Sequence, residues 1–210
     1  MKHVKKIVSL VLALVMALSL NVTTFAAENT AALADTDMVT VYFTKNTFTE
    51  GGLTGYQEYT GGNSPAATSY NTDLVADCAI TLSVSEINQY MNRSVYKSDY
   101  TGNLNVLDAI IAALRKQNSS IAISGGWDSY TTPNGGYINS AGTVVPTYGE
   151  TRTATVDGVS YTVYTGYGYN IACTQDGVLR ELDYYGTEYD LTAGMKIVFD
   201  YGYYEIYWAN

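Results

Sequence analysis

The sequence predicts an α+β domain in which a mainly antiparallel or mixed sheet packs on one principal helix. Three observations carry that prediction. The stretch Asn105 to Lys116 places Leu107, Ile110, Ile111 and Leu114 at i, i+3, i+4, i+7, one apolar stripe on one helical face. Two Asp-Gly pairs, Asp157-Gly158 and Asp176-Gly177, each separate two strand-like runs, which is a strong hairpin signal. No repeating strand–helix–strand rhythm accompanies them, and that argues against a doubly wound parallel sheet.

Residues 1–26 read as an export signal. Lys2, Lys5 and Lys6 precede an apolar run from Ile7 to Leu20, and Thr24-Phe25-Ala26 supplies the small residues that a signal peptidase inspects. The run is shorter than the roughly 20 residues a membrane span needs. No second apolar segment follows, so the expected product is extracellular, secreted or held at the cell surface by another molecule, with no membrane span after cleavage. Three of the 11 Lys+Arg fall in this segment and none of the 20 Asp+Glu do. Eight bases then face twenty acids, a net charge of −12, which disfavours nucleic acid and anionic membranes as partners. His3, the one histidine, leaves with the signal. Without histidine the processed chain cannot build a Ser-His-Asp or Cys-His nucleophile, or a histidine-ligated metal centre.

Residues 27–37 are small, polar and aperiodic, a flexible leader. One domain is expected over 38–210, long enough for a proper core. Val39, Val41 and Phe43 alternate with Thr40, Tyr42 and Thr44 as in a half-buried strand. The region 50–69 is rich in Gly, Thr, Ser and Asn and reads as a loop. A strand is expected over 76–82. Ser83 and Glu86 have capping-box spacing ahead of Ile87, Tyr90 and Met91, predicting a short helix over about 84–93. The principal helix is expected over about 104–117, with Asn105 as its cap, Asp108 in its first turn and Arg115 and Lys116 in its last. Ile121 to Ile123 reads as a short strand, with Gly125-Gly126 and Gly135-Gly136 as turns around Trp127 and Tyr130. Strands are expected over 153–156, 159–164, 169–174, 178–182 and 195–208.

Tyrosine is over-used, 21 of 210 residues, and it crowds the last third. Tyr161, Val163, Tyr167 and Tyr169 share one strand face, as do Tyr201, Tyr203 and Tyr207. These rings are either an aromatic surface for a ligand or the ordinary use of tyrosine on strands. Trp127 is either a loop anchor or a binding side chain, and Trp208 is suited to closing one end of the core. Cys78 and Cys173 form a disulfide or remain two buried thiols; export and an even count allow either. Neither sits where a thiol would be activated. Asp183, Glu188 and Asp190 could act as a carboxylate pair, but carboxylates in a turn-rich segment are mostly solvated charges. The calcium-loop spacing, the Gly-rich phosphate loop and the CxxC pair are all absent from the sequence. No catalytic residue and no metal ligand is therefore expected.

Four segments carry a resemblance. Asn105-Val106-Leu107-Asp108-Ala109-Ile110, Gly136-Tyr137-Ile138-Asn139-Ser140, Gly166 to Cys173 and Tyr189 to Ile197 resemble, in that order, the motifs T-V-L-D-A-L, G-Y-I-x-S, G-W-x-Y-x-V-N-G and Y-x-L-x-x-G-D-x-I. These are motifs of the transcobalamin C-terminal-like domain of bacterial surface proteins. Tyr167 stands for that family's Trp, Ala172-Cys173 for its Asn-Gly and Met195 for its Asp, and 50–69 and 143–153 look like loop insertions. The resemblance implies a β-grasp-like fold, a sheet curled around one helix, and a non-enzymatic ligand-binding scaffold. A corrinoid is implied only by that likeness, and no cofactor is read from the residues. The expected ligand-facing residues are Trp127, Tyr130, Tyr137, Tyr167 and Tyr169, and the expected partner is a small molecule, a glycan or a surface protein. The alternative is a structural or adhesive extracellular domain acting by protein–protein contact.

Overall fold

The computed structural model describes residues 32–46, 50–51, 70–91, 102–126, 136–182 and 186–210. The export signal, Trp127, Tyr130 and Asp183 lie outside them, as do residues 52–69 and the expected end of the short helix at 92–93. In chain order the elements are β1 (Met38–Lys45), β2 (Glu50–Gly51), β3 (Ala79–Ser83), α1 (Val84–Met91), α2 (Val106–Gln117), β4 (Ile123–Gly126) and β5 (Tyr137–Ala141). There follow β6 (Thr147–Val156), β7 (Val159–Gln175), β8 (Val178–Glu181), a 3₁₀ turn (Gly186–Glu188) and β9 (Lys196–Ala209).

Alternating apolar residues make β1 a central strand. Val39, Val41 and Phe43 are fully buried on one face, opposite Leu82 and Ile80 of antiparallel β3. On its other side β1 runs parallel to β9, Val41 beside Ile197 and Phe43 beside Phe199. The sheet order is β3-β1-β9-β7-β6, with β2 added to β9 and β8 to β7. Because β1 and β2 lie parallel to β9 while the other pairings are antiparallel, the sheet is mixed. β4 and β5 form a separate two-stranded sheet. The fold is therefore α+β, as the sequence predicts.

Helix α2 lies on the face carrying Val41, Phe43, Ile197, Phe199 and Cys173, and its residues Val106 to Leu114 are all buried. Its start is a capping box. The Asp108 N–H donates to Asn105 Oδ1 at 3.1 Å, and the Asn105 N–H donates to Asp108 Oδ2 at 3.0 Å. Both side chains are fully buried. Backbone bonds from Val106 to Tyr189 and from Leu191 to Leu104 clamp the same end. α1 begins with a second box, the Glu86 N–H on Ser83 Oγ at 3.1 Å and the Ser83 N–H on Glu86 Oε2 at 3.0 Å. This one is part-exposed. The Lys116 ammonium, 2.6 Å from Glu86, and the Ser83 amide together hold the Glu86 carboxyl below its ordinary range.

Three expectations need correction. The segment 143–153 is not a loop throughout, because Thr147 onward belongs to β6. Its Thr-rich, charged sequence lacks alternation because almost every residue is exposed on an edge strand. Gly125-Gly126 is strand rather than turn. A Cβ on Gly126 would sit inside the Tyr137 ring that faces it, so the glycine is there to admit the ring. The runs 159–164 and 169–174 are one continuous strand, β7, which crosses Gly166 and Gly168 without interruption.

Candidate functional site

The aromatic residues of β7 and β9 form a ladder that starts inside the core and ends in solvent. Pairing puts Ile171 beside Phe199, Tyr169 beside Tyr201 and Tyr167 beside Tyr203. Strand alternation then gives all six the same face as α2. Phe199 meets Phe43 edge-on at 6.1 Å and stacks on Tyr169 at 4.5 Å with planes 10° apart. Tyr169 meets Tyr201 at 5.5 Å, Tyr201 stacks with Tyr167 at 6.2 Å, and Tyr167 meets Tyr203 edge-on at 5.7 Å. These separations are those of mutually attractive aromatic pairs.

Further out on the same face the Arg152 guanidinium contacts Glu205 Oε1 at 2.5 Å. Beyond it Tyr161 and Tyr207 pack edge-to-face at 5.8 Å. A ligand laid along β9 from Tyr203 would thus meet rings, then a charged pair, then rings again. That span is about 13 Å at the rise of an extended strand.

The loop after β5 straps the inner end of the ladder. Tyr169 donates its hydroxyl to the Val144 carbonyl at 2.7 Å, and Tyr201 donates to the Val145 carbonyl at 2.8 Å. Burial raises the Tyr169 phenol pKa above its usual range, so it stays a neutral donor. Of the outer rings, Tyr167 and Tyr207 are exposed, 41 % and 44 %, and Tyr161 and Tyr203 are half-buried.

The opposite face carries a second, shorter row. Tyr148, Tyr164 and Tyr204 run across β6, β7 and β9 with centroids 6.2 and 6.4 Å apart. Gly166 and Gly168 leave bare backbone under Tyr204, and a Cβ on Gly166 would lie 2.6 Å from both the Tyr204 hydroxyl and the Thr147 carbonyl. Tyr148 and Trp208 are exposed. Trp208 therefore does not close the core.

Of the residues expected to face a ligand, Tyr167 and Tyr169 come together in the ladder, whereas Tyr137 stands on the small β4–β5 sheet, half exposed. Tyr201 and Tyr203 complete the row. Their alternation was visible in the sequence, but the pairing of β7 with β9 that aligns them was not.

Glu188 and Asp190 are exposed, and Asp190 accepts from Asn103 Nδ2 at 2.8 Å. Among the described residues no three His, Cys, Asp or Glu side chains gather to hold a metal ion. No described helix is long and apolar enough to cross a membrane.

Cys78 and Cys173 are both free thiols, which corrects the disulfide alternative. Cys173 is buried on β7 beneath α2, and burial pushes its thiol up to about 12. Cys78 is half-buried at a left-handed position (φ 62°) just before β3. A thiol reagent at pH 8 should therefore modify Cys78 in the native chain and reach Cys173 only after denaturant is added, because its thiolate is scarce and covered. Two equally fast equivalents in the native chain would contradict this placement.

No family model matches the chain, and neither a curated protein nor a solved structure resembles it significantly.

Proposed function

We propose that this chain is an exported, non-enzymatic binding module of β-grasp-like fold, related to the transcobalamin C-terminal-like domain, that holds a neutral glycan along its tyrosine ladder. The observation that carries the reading is the sequence of contacts along β9: Tyr167 and Tyr203, then Arg152 and Glu205, then Tyr161 and Tyr207. Sugar rings present apolar faces that stack on aromatic rings, and hydroxyls at their edges that bond to carboxylate and guanidinium groups. The width of about 13 Å suits two or three sugar residues. The chain as a whole carries net negative charge, which disfavours anionic polymers. The β-grasp reading is supported by the parallel neighbours β1 and β9 with α2 across them.

The test is binding of the purified chain to insoluble β-glucan, chitin and peptidoglycan, with a corrinoid titration alongside. Saturable binding to one neutral glycan is expected. Tyr167→Ala with Tyr203→Ala should weaken it by about tenfold, given roughly 0.5–1.5 kcal/mol per aromatic contact. An unchanged affinity in that folded variant, or no saturable binding to any of the glycans, would remove the reading.

A further inference from the structure

We propose that two copies of this chain pair antiparallel through the outer edge of β6, about a two-fold axis at Thr153. The inference is independent of the glycan reading and rests on the direction in which the backbone groups of β6 point. Asp157 (φ 50°) and Gly158 (φ 80°) are both left-handed, and Val156 faces Val159 across them. The connection is therefore a two-residue type I′ turn. Its closing bond makes Val156 and Val159 a pair that exchanges backbone hydrogen bonds.

Alternation along an antiparallel ladder then turns the N–H and C=O groups of Ala154 and Arg152 toward β7, and those of Thr155, Thr153 and Thr151 away from it. Ser160, opposite Thr155, obeys the same rule on its own strand: its carbonyl accepts from the Asn210 N–H at 3.0 Å, on the side away from β6. The pattern stops at a β-bulge, where Gly149 and Glu150 together stand opposite Thr165. The open edge is thus Thr151 to Thr155. Among the described residues no strand pairs with it.

That window is self-complementary. Setting Thr153 against Thr153 of the second copy puts Thr151 against Thr155 of the second copy, so outward groups meet outward groups at every pair. The join would make on the order of six backbone hydrogen bonds. The three threonines share one face, following Tyr164, Thr162 and Ser160 of β7, and would form cross-strand Thr–Thr pairs.

On the other face Arg152 meets Ala154 of the second copy, and its charge is already matched by Glu205 of its own chain. No like charges oppose each other. β6 also lacks the lysine or proline with which edge strands are often kept apart; its bulge lies outside the window, and its one charge inside the window, Arg152, is neutralised by Glu205. The remaining opposition is the long-range repulsion between two acidic chains, each of net charge −9 with residues 1–26 and −12 without them, which salt screens.

Sedimentation equilibrium of the purified chain should show a reversible monomer–dimer equilibrium that shifts toward dimer as salt is raised. Thr153→Lys sets two ammonium groups opposite each other at the axis and should raise the dissociation constant at least about tenfold. Thr153→Pro removes an N–H that points away from β7 and should abolish the dimer while the monomer stays folded by circular dichroism. Thr153→Val keeps the N–H and should leave the dimer within about threefold of wild type. A chain that stays monomeric up to about 1 mM at any salt concentration overturns the proposal. So does a folded Thr153→Lys variant that dimerises unchanged, or a Thr153→Val variant that alone loses the dimer.

Discussion

Replacing Phe199 by alanine is expected to lower the unfolding free energy by about 3–5 kcal/mol. Phe199 is fully buried at the crossing point of the molecule, between Phe43 on parallel β1 and Ile171 on antiparallel β7. Its ring takes an edge from Phe43 and the full face of Tyr169. Truncation would leave a cavity under α2 and deprive Tyr169 of its stack. The loss should then reach the strap, because the Tyr169 hydroxyl holds the Val144 carbonyl. Tyr203→Ala, four residues along the same face but outside the core, should cost less than about 1 kcal/mol, since a partly exposed ring leaves no closed void. Urea unfolding of both variants tests the boundary between core and ladder. Similar losses in the two would mean that the outer ladder is as much a part of the core as Phe199.

How much of this was legible in the sequence follows from which interactions are local. α2 was readable because its stripe and its cap lie within twelve residues, and the turns at Asp157-Gly158 and Asp176-Gly177 because each needs two adjacent left-handed residues. The face shared by Tyr167 and Tyr169 was readable from alternation alone. Strand neighbours were not. Nothing in the period of Lys196 to Ala209 says that it lies between β1 and β7, yet that placement is what turns scattered tyrosines into one ladder. From Thr147 to Arg152 β6 carries no alternation, because an exposed edge strand has no buried face to print on its sequence. Gly126 and Gly166 each read as a break in the sequence while serving as the floor for a tyrosine ring in the fold.

Asp108→Ala is the variant that tests how burial scales a local motif, because the chain uses the capping box twice. The box at Ser83 and Glu86 is part-exposed, so water can replace a lost carboxylate and Glu86→Ala should cost about 0.5–1 kcal/mol. The box at Asn105 and Asp108 is completely buried. Removing the Asp108 carboxylate strands the Asn105 N–H away from solvent and opens a small void, for an expected loss of about 2–3 kcal/mol. Asp108→Asn keeps an acceptor oxygen in the same place and should recover much of that loss. Because Val106 and Leu104 exchange backbone bonds with the segment 189–191, the damage should also loosen that clamp. Faster amide exchange at Val106 and Leu191 would register it. Equal costs for Asp108→Ala and Glu86→Ala would show that sequence spacing, and not the environment in which the box is buried, sets what a capping box contributes.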